Sequence, residues 1–370
     1  MFVPILPLYL TNFLGLSKEF VGLTEGLVTS SSSIFKVVAG FLSDKFKKRK
    51  PIVFAGYFFS FVSRPLLAII ASPVGISALR FLDGVGKGVK DSPKDALISE
   101  SAKMETRGWS FGVVRALDTL GSVAGPLLLA LLLYLLRDNT LKYHYIFLLT
   151  AIPLVVTLAI LTLWVKETDV LPVRGDRNAL SLKLPREFYI FLGIMTLFAI
   201  GNPSDAFLIL RAQNVGVTLI AIPLVYAVFN FFYAAASIPL GGLSDRIGRE
   251  KVILIGWFSY ALAYVGFAFA DQSYQIWLLF AFYGIYYATT QGVAKAFVAD
   301  LTEVGHRGRA YGIFNSVIGV VSLPASMIAG WLWDTYNPGA PFYFGAVMAG
   351  LAAILLLLFT RMHYTGEKAR

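Results

Sequence analysis

Apolar runs of about 20 residues recur along nearly the whole chain, and no soluble domain remains once they are set aside. A run of that length spans about 30 Å as a helix at about 1.5 Å per residue. The pattern predicts helices at roughly 2–16, 20–42, 52–72, 74–100, 107–136 and 143–165, a polar linker at about 166–186, and a second set at roughly 187–211, 217–243, 251–270, 274–300, 308–332 and 339–361. The expected class is an all-α integral membrane protein with a six-helix bundle over 1–165, a linker over 166–186, and a second bundle with a short tail over 187–370. Only 15% of the 370 residues are charged, against about a quarter in soluble domains. The absence of cysteine excludes disulfides, thiolate metal sites and thiol catalysis. His144, His306 and His363 lie near helix ends or loops, an arrangement ill suited to a metal site. No cofactor, no metal and no nucleic-acid partner is expected; the bilayer accounts for the composition.

A short pattern then occurs twice. Gly40, Asp44, Lys45 and Arg49 follow one apolar run; Gly241, Asp245, Arg246 and Arg249 follow another about two hundred residues later. Arg107 to Gly112 echoes Arg307 to Gly312, and Lys94 to Ser99 echoes Lys295 to Asp300. The net charge of +10 is concentrated in alternate loops: Lys45 to Lys50, Lys103 and Arg107, Lys166 to Arg186, Arg246 to Lys251, and Arg307 with Arg309. Positive charge is retained on the cytoplasmic side, so these loops and both termini are expected there, in a cell (inner) membrane. Both copies then start and end on one side, as parallel repeats do. Setting Asp44 against Asp245 places Met1 near Asn202, within the helix that begins at about 187. The first helix is therefore expected to lack its first half, from truncation or a start placed too late.

Helix 4 carries the chemistry. Arg80, Asp83, Lys87, Lys90, Asp91, Lys94 and Asp95 fall within roughly 140° of one face, with Phe81, Leu82, Val85 and Val89 opposite. Ionisable groups facing lipid are costly, so the stripe must face protein or water. Spacings of three and four permit ion pairs along the helix. Its slight cationic excess favours an anionic or zwitterionic small solute, an inference that holds only if the charges are not mutually paired. Glu25 and Lys36 share a face of helix 2, Arg64 lies in helix 3, and Arg115 with Asp118 in helix 5. The matching stretch of the second half, Phe282 to Gln291 followed by Lys295, replaces charge with aromatics and hydroxyls. Asn202 and Asp205 flank Pro203, which loosens helix 7 and frees backbone groups beside a carboxylate. Arg211 reads as a snorkelling anchor. Gly84, Gly86 and Gly88 follow no strand, which excludes a nucleotide loop and leaves close helix packing. Tyr283, Tyr286 and Tyr287 read as packing before ligand cage.

Gly40, Asp44 and Arg49, with Gly241, Asp245, Arg246 and Arg249, resemble the cytoplasmic loop motif of the major facilitator superfamily of transporters, over essentially the whole chain. Lys45 stands where arginine is usual and Lys47 where glycine is usual. Arg80 to Gly86 resembles that family's helix 4 motif, with Asp83 in place of a common glutamine. Gly121, Gly125 and Pro126 resemble the front of its antiporter motif, without the following glycine pair. Thr24-Glu25-Gly26, Lys87-Gly88, Pro93 to Ile98, Arg115 to Asp118 and Asn202 to Arg211 are similar to a prokaryotic subgroup without a settled substrate. The resemblance implies two six-helix bundles related by a pseudo-twofold axis, and a monomer. It implies that Asp44 and Lys45 latch onto helix 11 and the end of helix 4, and that Arg80 is linked to proton coupling. The expected function is secondary active transport of a small solute by alternating access, proton-coupled, not enzymatic. The expected pathway comprises Glu25, Arg64, Arg80, Asp83, Lys87, Asp91, Arg115, Asp118, Asn202, Asp205, Gln291 and Lys295. The alternatives are proton-driven efflux of amphipathic compounds and, more remotely, a non-transporting membrane sensor.

Overall fold

A backbone inside a bilayer must satisfy its own hydrogen bonds, and helices do so within one segment. The computed structural model describes residues 2–46, 48–101, 107–167, 184–303 and 306–368, and these form helices joined by short turns, with no strand among them. The side chains of 44, 99–100, 107–109, 111–112, 115, 245, 291 and 362–368 also lie outside the described set. The elements group into twelve segments: α1 (Phe2–Leu8, continued as a π-helical turn, Tyr9–Phe13), α2 (Lys18–Phe46), α3 (Lys50–Leu66), α4 (Pro73–Ser101), α5 (Arg107–Leu135), α6 (Lys142–Leu149 and Ala151–Leu163), α7 (Arg186–Ile200 and Ala206–Asn214), α8 (Ala221–Ile247), α9 (Arg249–Phe269), α10 (Ser273–Asp300), α11 (Arg307–Thr335) and α12 (Ala340–Lys368).

The segment order matches the sequence pattern, and the differences have local causes. α1 stops at Phe13 rather than 16, before Gly15 takes a left-handed φ of 65°. α6 is interrupted at Thr150, whose neighbour Pro153 cannot donate to the carbonyl of Leu149. α7 breaks over Gly201 to Asp205, around Pro203. α8 meets α9 through Gly248 alone, at a φ of 98°, a turn that glycine makes without strain. Seven described spans are long and apolar enough to cross a membrane unaided. Neither α4, with its ionic stripe, nor the broken α7 is among them.

The packing repeats with a period of six helices. α2 packs on α4, as α8 packs on α10; α3 packs on α4 and α6, as α9 packs on α10 and α12. Across the halves, α2 packs on α11 and α5 on α8. These matched pairs are the pseudo-twofold arrangement of two bundles.

Small residues set the closest approaches. A Cβ on Gly26 of α2 would stand 2.6 Å from the Cα of Leu323, and one on Gly319 of α11 would overlap Ser33. Ser30 donates to the carbonyl of Gly319 at 2.8 Å, and the amide of Glu19 to Asp334 at 2.9 Å. These contacts run from the start of α2 and the end of α11 to the middle of both helices. The halves are therefore sealed at the end of the molecule away from the repeated loop motif.

Candidate functional site

Two polar clusters face each other at the centre of the helix bundle. The first is ionic. Arg80 of α4 donates to Glu25 of α2 at 2.6 Å and to Asp83 at 3.3 Å, and Arg64 of α3 donates to Asp83 at 3.0 Å. The phenyl ring of Phe2 lies 5.2 Å from the Arg64 guanidinium and 5.1 Å from that of Arg80, covering both with a π face. The α4 glycines make this cluster possible. A Cβ on Gly84 would stand 2.7 Å from the carbonyl oxygen of Val28 in α2, and one on Gly86 would stand 2.6 Å from that of Gly56 in α3. Those glycines are helix-packing residues, as the sequence indicates.

This pairing bears on two sequence expectations. The cation excess of α4 was the ground for an anionic solute, yet Arg64 and Arg80 already face two carboxylates. The ion pairs allowed along α4 form only between Arg80 and Asp83; Lys87, Lys90, Asp91, Lys94 and Asp95 make none among the described residues. Lys87 is exposed, Asp91 is half-buried, and Lys90 points its ammonium at the Tyr57 ring, 4.6 Å from the centroid. The tetrad gathers groups from three helices, and no one-helix wheel shows that.

The second cluster is aromatic and is built on the broken helix α7. Asp205 accepts hydrogen bonds from Tyr283 at 3.2 Å and from Tyr287 at 3.3 Å. Asn202 donates to the hydroxyl of Tyr286 at 3.3 Å. The groups freed by the break find partners: the Gly201 carbonyl accepts from Tyr260 at 2.6 Å, and the Ser204 amide donates to Ser326 at 3.1 Å. Asp205 makes no ion pair among the described residues; its direct partners are hydroxyls. Tyr283, Tyr286 and Tyr287 thus do more than pack. Ser204 also stands 3.5 Å from Glu25, a long contact that brings the two clusters side by side across the halves.

A cavity of 760 Å³ leads from Tyr287, past Tyr233 and Ser237, to Ser244 and Arg249 at the loop-motif end. A smaller one of 160 Å³ touches Asn202, Trp257, Tyr286 and Asn315. Lys295 borders both. The cavities lie against the aromatic cluster, whereas the ionic cluster is closed over by Phe2.

The remaining expected residues are dispersed. Asp118 is exposed on α5, and the side chains of Arg115 and Gln291 lie outside the described residues. In the first loop motif, Gly40 faces Ser92 across a gap of 3.0 Å from a notional Cβ, and buried Arg49 donates to Ser43 at 2.6 Å. The amide of Arg49 donates to Glu167 at 2.8 Å. Lys45 is exposed beside the ring of its neighbour Phe46. In the second motif, Arg249 pairs with Asp300 at 2.9 Å, Arg246 is exposed, and Gly241 lines the large cavity. The side chains of Asp44 and Asp245 lie outside the described residues. Arg211 is no snorkelling anchor. It is buried and donates to the carbonyls of Phe267, Ala268 and Ala270, and to Asn214, so it caps the C-terminal end of α9.

Sequence reasoning did not place Phe2, Ser204, Tyr260 or Ser326. Ser204 carried a signal, since it sits beside Pro203 in a helix break; Tyr260 is an aromatic in an apolar helix and carried none.

The family model described as Major Facilitator Superfamily matches residues 1–208 and 188–370. An uncharacterised MFS-type transporter of Methanocaldococcus jannaschii is 39% identical over 368 residues, covering 96% of this chain and 90% of that one. The multi-drug resistance efflux pump PmrA of Streptococcus pneumoniae is 25% identical over 350 residues, covering 89% and 84%. The crystal structure of nucleoside transporter NupG superposes with a TM-score of 0.76 at 15% identity, over 98% of this chain and 94% of that one. At that identity the likeness is one of fold.

Proposed function

Because the chain belongs to the major facilitator superfamily, and so is a multi-pass membrane transporter and not an enzyme, we propose that it moves an amphipathic, weakly basic organic solute by alternating access in exchange for protons. The observation that carries this reading is Asp205: a carboxylate within the membrane-spanning bundle, with hydroxyl partners and no ion pair among the described residues, one of those partners being Tyr287, which lines a 760 Å³ cavity.

A charged carboxylate so placed is costly unless something neutralises it. A bound organic cation does so, and so does a proton. The two cannot both be needed at once, which makes each the natural replacement for the other. Tyr233 and Tyr287 line the cavity beside Lys295 and the Asp300-paired Arg249, and the aromatic faces suit a cation carried on an apolar body. Arg64 and Arg80, which an anionic solute would need, already face Asp83 and Glu25, which weighs against that reading. Likeness to a multi-drug resistance efflux pump agrees with this direction of transport. The ionic tetrad we assign to coupling: Glu25 touches both Arg80 and Ser204, so a change at the α7 break reaches α4 directly.

We place the loop motifs and both termini in the cytoplasm of a cell (inner) membrane, from their lysines and arginines. The sealed α2–α11 end then faces outward and the large cavity inward. We take 1–165 and 187–370 as the two moving bodies and 166–186 as their linker, functioning as a monomer.

The test is flux in proteoliposomes carrying an imposed pH gradient, with ethidium as the probe cation. Wild type should drive ethidium against its gradient, and Asp205→Asn should lose that flux while remaining folded. Retention of full flux by Asp205→Asn removes the site assignment. Transport of an organic anion in place of ethidium removes the substrate class.

A further inference from the structure

A third cavity, of 400 Å³, opens on the flank of the first half, away from the central pathway. It lies between α3, α4, α5 and α6 near the loop-motif end. Val53, Leu97, Ile160 and Leu161 form apolar walls, and Lys94 is the charged side chain among its described lining residues.

Lys94 is half-buried and makes no hydrogen bond or ion pair among the described residues. Carboxylates stand near, Asp91 on α4 and Asp118 on α5 among them, but among the described residues none pairs with it. Tyr57 of α3 lines the same cavity and presents its ring to Lys90, one turn away on α4. Asp91 is half-buried and Asp95 exposed on α4, and neither pairs with Lys94 within 4.0 Å. Glu167, beyond the end of α6, accepts from the amides of Arg49 and Lys50. A half-buried ammonium beside apolar walls, with no carboxylate in contact with it, can take an anionic group as its direct partner. The complement is a molecule with an apolar chain and an anionic head.

The depth of the site selects which molecule. Trp164 is 71% exposed beside the cavity residue Val165, and tryptophan at a membrane protein surface marks the headgroup level. Lys50, which donates to the Thr162 carbonyl at 3.0 Å, and exposed Lys166 add positive charge at the same end. Lysines on the cytoplasmic side of helix clefts attract anionic lipid heads, and a lysine stem can reach upward to meet them. The repeat-related Lys295 lines the central cavities instead, so this arrangement belongs to the first half alone.

We propose that the flank cavity binds an anionic phospholipid of the surrounding leaflet, one acyl chain between α3, α4 and α6 and its phosphate on Lys94. The site is separate from the Asp205 pathway and stands whether or not that assignment holds.

The test is native mass spectrometry of the full chain, delipidated in detergent and titrated with phosphatidylglycerol and phosphatidylcholine of equal chain length. Wild type should retain phosphatidylglycerol with about fivefold preference, the worth of one lysine near a phosphate. Lys94→Gln should abolish the preference. Leu97→Trp, which fills the cavity without changing charge, should abolish retention of both lipids and provides the test if Lys94→Gln does not fold. Lys166→Gln, outside the cavity, should lower the preference less than Lys94→Gln does; an equal or larger loss would take the phosphate off Lys94 and overturn the proposal. Inorganic phosphate in excess should not displace the lipid; displacement would make the site one for a free anion and overturn the proposal. Equal retention of both lipids by wild type, or an undiminished preference in Lys94→Gln, overturns it as well.

Discussion

The two halves share a frame and differ in what they put inside it. At matching places in the repeat, Glu25 of α2 corresponds to Tyr226 of α8, Arg80 and Asp83 of α4 to Ala281 and Gly284 of α10, and Gly86 to Tyr287. The helix pairings survive this divergence because they depend on small residues at crossings. Gly84 of α4 lies against Val28 of α2, and Gly284 of α10 lies against Phe229 and Tyr233 of α8. The interior chemistry is free to change because it rests on side chains between the crossings. One half became an ion-pair lock and the other a tyrosine-lined chamber around one carboxylate. A charge-paired interior resists rearrangement and suits coupling; an interior of hydroxyls and rings accepts a guest.

That contrast can be broken most strongly at Arg80. Arg80→Ala leaves Glu25 and Asp83 without their shared cation, and such loss of one partner of a buried pair costs about 3–5 kcal/mol. We expect a large fall in thermal stability in detergent and no flux in proteoliposomes. A stable, active Arg80→Ala protein would mean that the lock carries neither load.

Next in size is the seam between the halves. Gly26→Val drives a side chain into Leu323, and overpacking of this kind costs about 1–3 kcal/mol. The cost falls on the sealed α2–α11 contact, so the population should shift toward states in which that end opens. The chain contains no cysteine, so a single Ser237→Cys reports directly on cavity access. Its labelling by a membrane-impermeant maleimide should slow in the Gly26→Val background. Unchanged labelling would separate the seam from the cavity.

The aromatic half should respond more gently. Tyr287→Phe removes one of the donors to Asp205, and a single hydrogen bond contributes about 0.5–1.5 kcal/mol. Binding of ethidium, read by fluorescence titration, should weaken by up to about tenfold, with stability nearly unchanged. A collapse of stability comparable to that of Arg80→Ala would erase the distinction between lock and chamber.

The smallest expected effect lies in the second loop motif. Arg249 pairs with Asp300 while partly open to solvent, and such pairs contribute about 0–1 kcal/mol. Arg249→Ala should shift the melting temperature little. A large shift would place that motif among the elements that hold this conformation together.

Much of this architecture is legible in the chain. The apolar runs, the repeated Gly40–Asp44 and Gly241–Asp245 pattern and the alternating basic loops define a duplicated helical membrane protein, because lipid permits few alternatives to a helix. The need for Arg80 and Asp83 to face inward is equally plain, since ions do not face lipid. Asp205 beside Pro203 could be singled out for the same kind of reason.

What the sequence could not supply was who meets whom. Arg64, Glu25 and Phe2 come to Arg80 from three separate segments, and Tyr283 and Tyr287 come to Asp205 across the second bundle. Arg211 reads as an anchor from its place near a helix end, and only the packing of α7 on the end of α9 turns it into a cap. Lys94 and Lys295 occupy matching places, yet one borders a flank cavity and the other the central cavities. Local sequence governs whether a segment is a helix and which face tolerates lipid, because those depend on neighbours along the chain. Whether a buried charge is paired, lonely or open to a cavity depends on helices distant in sequence, and that was decided only when the twelve segments packed.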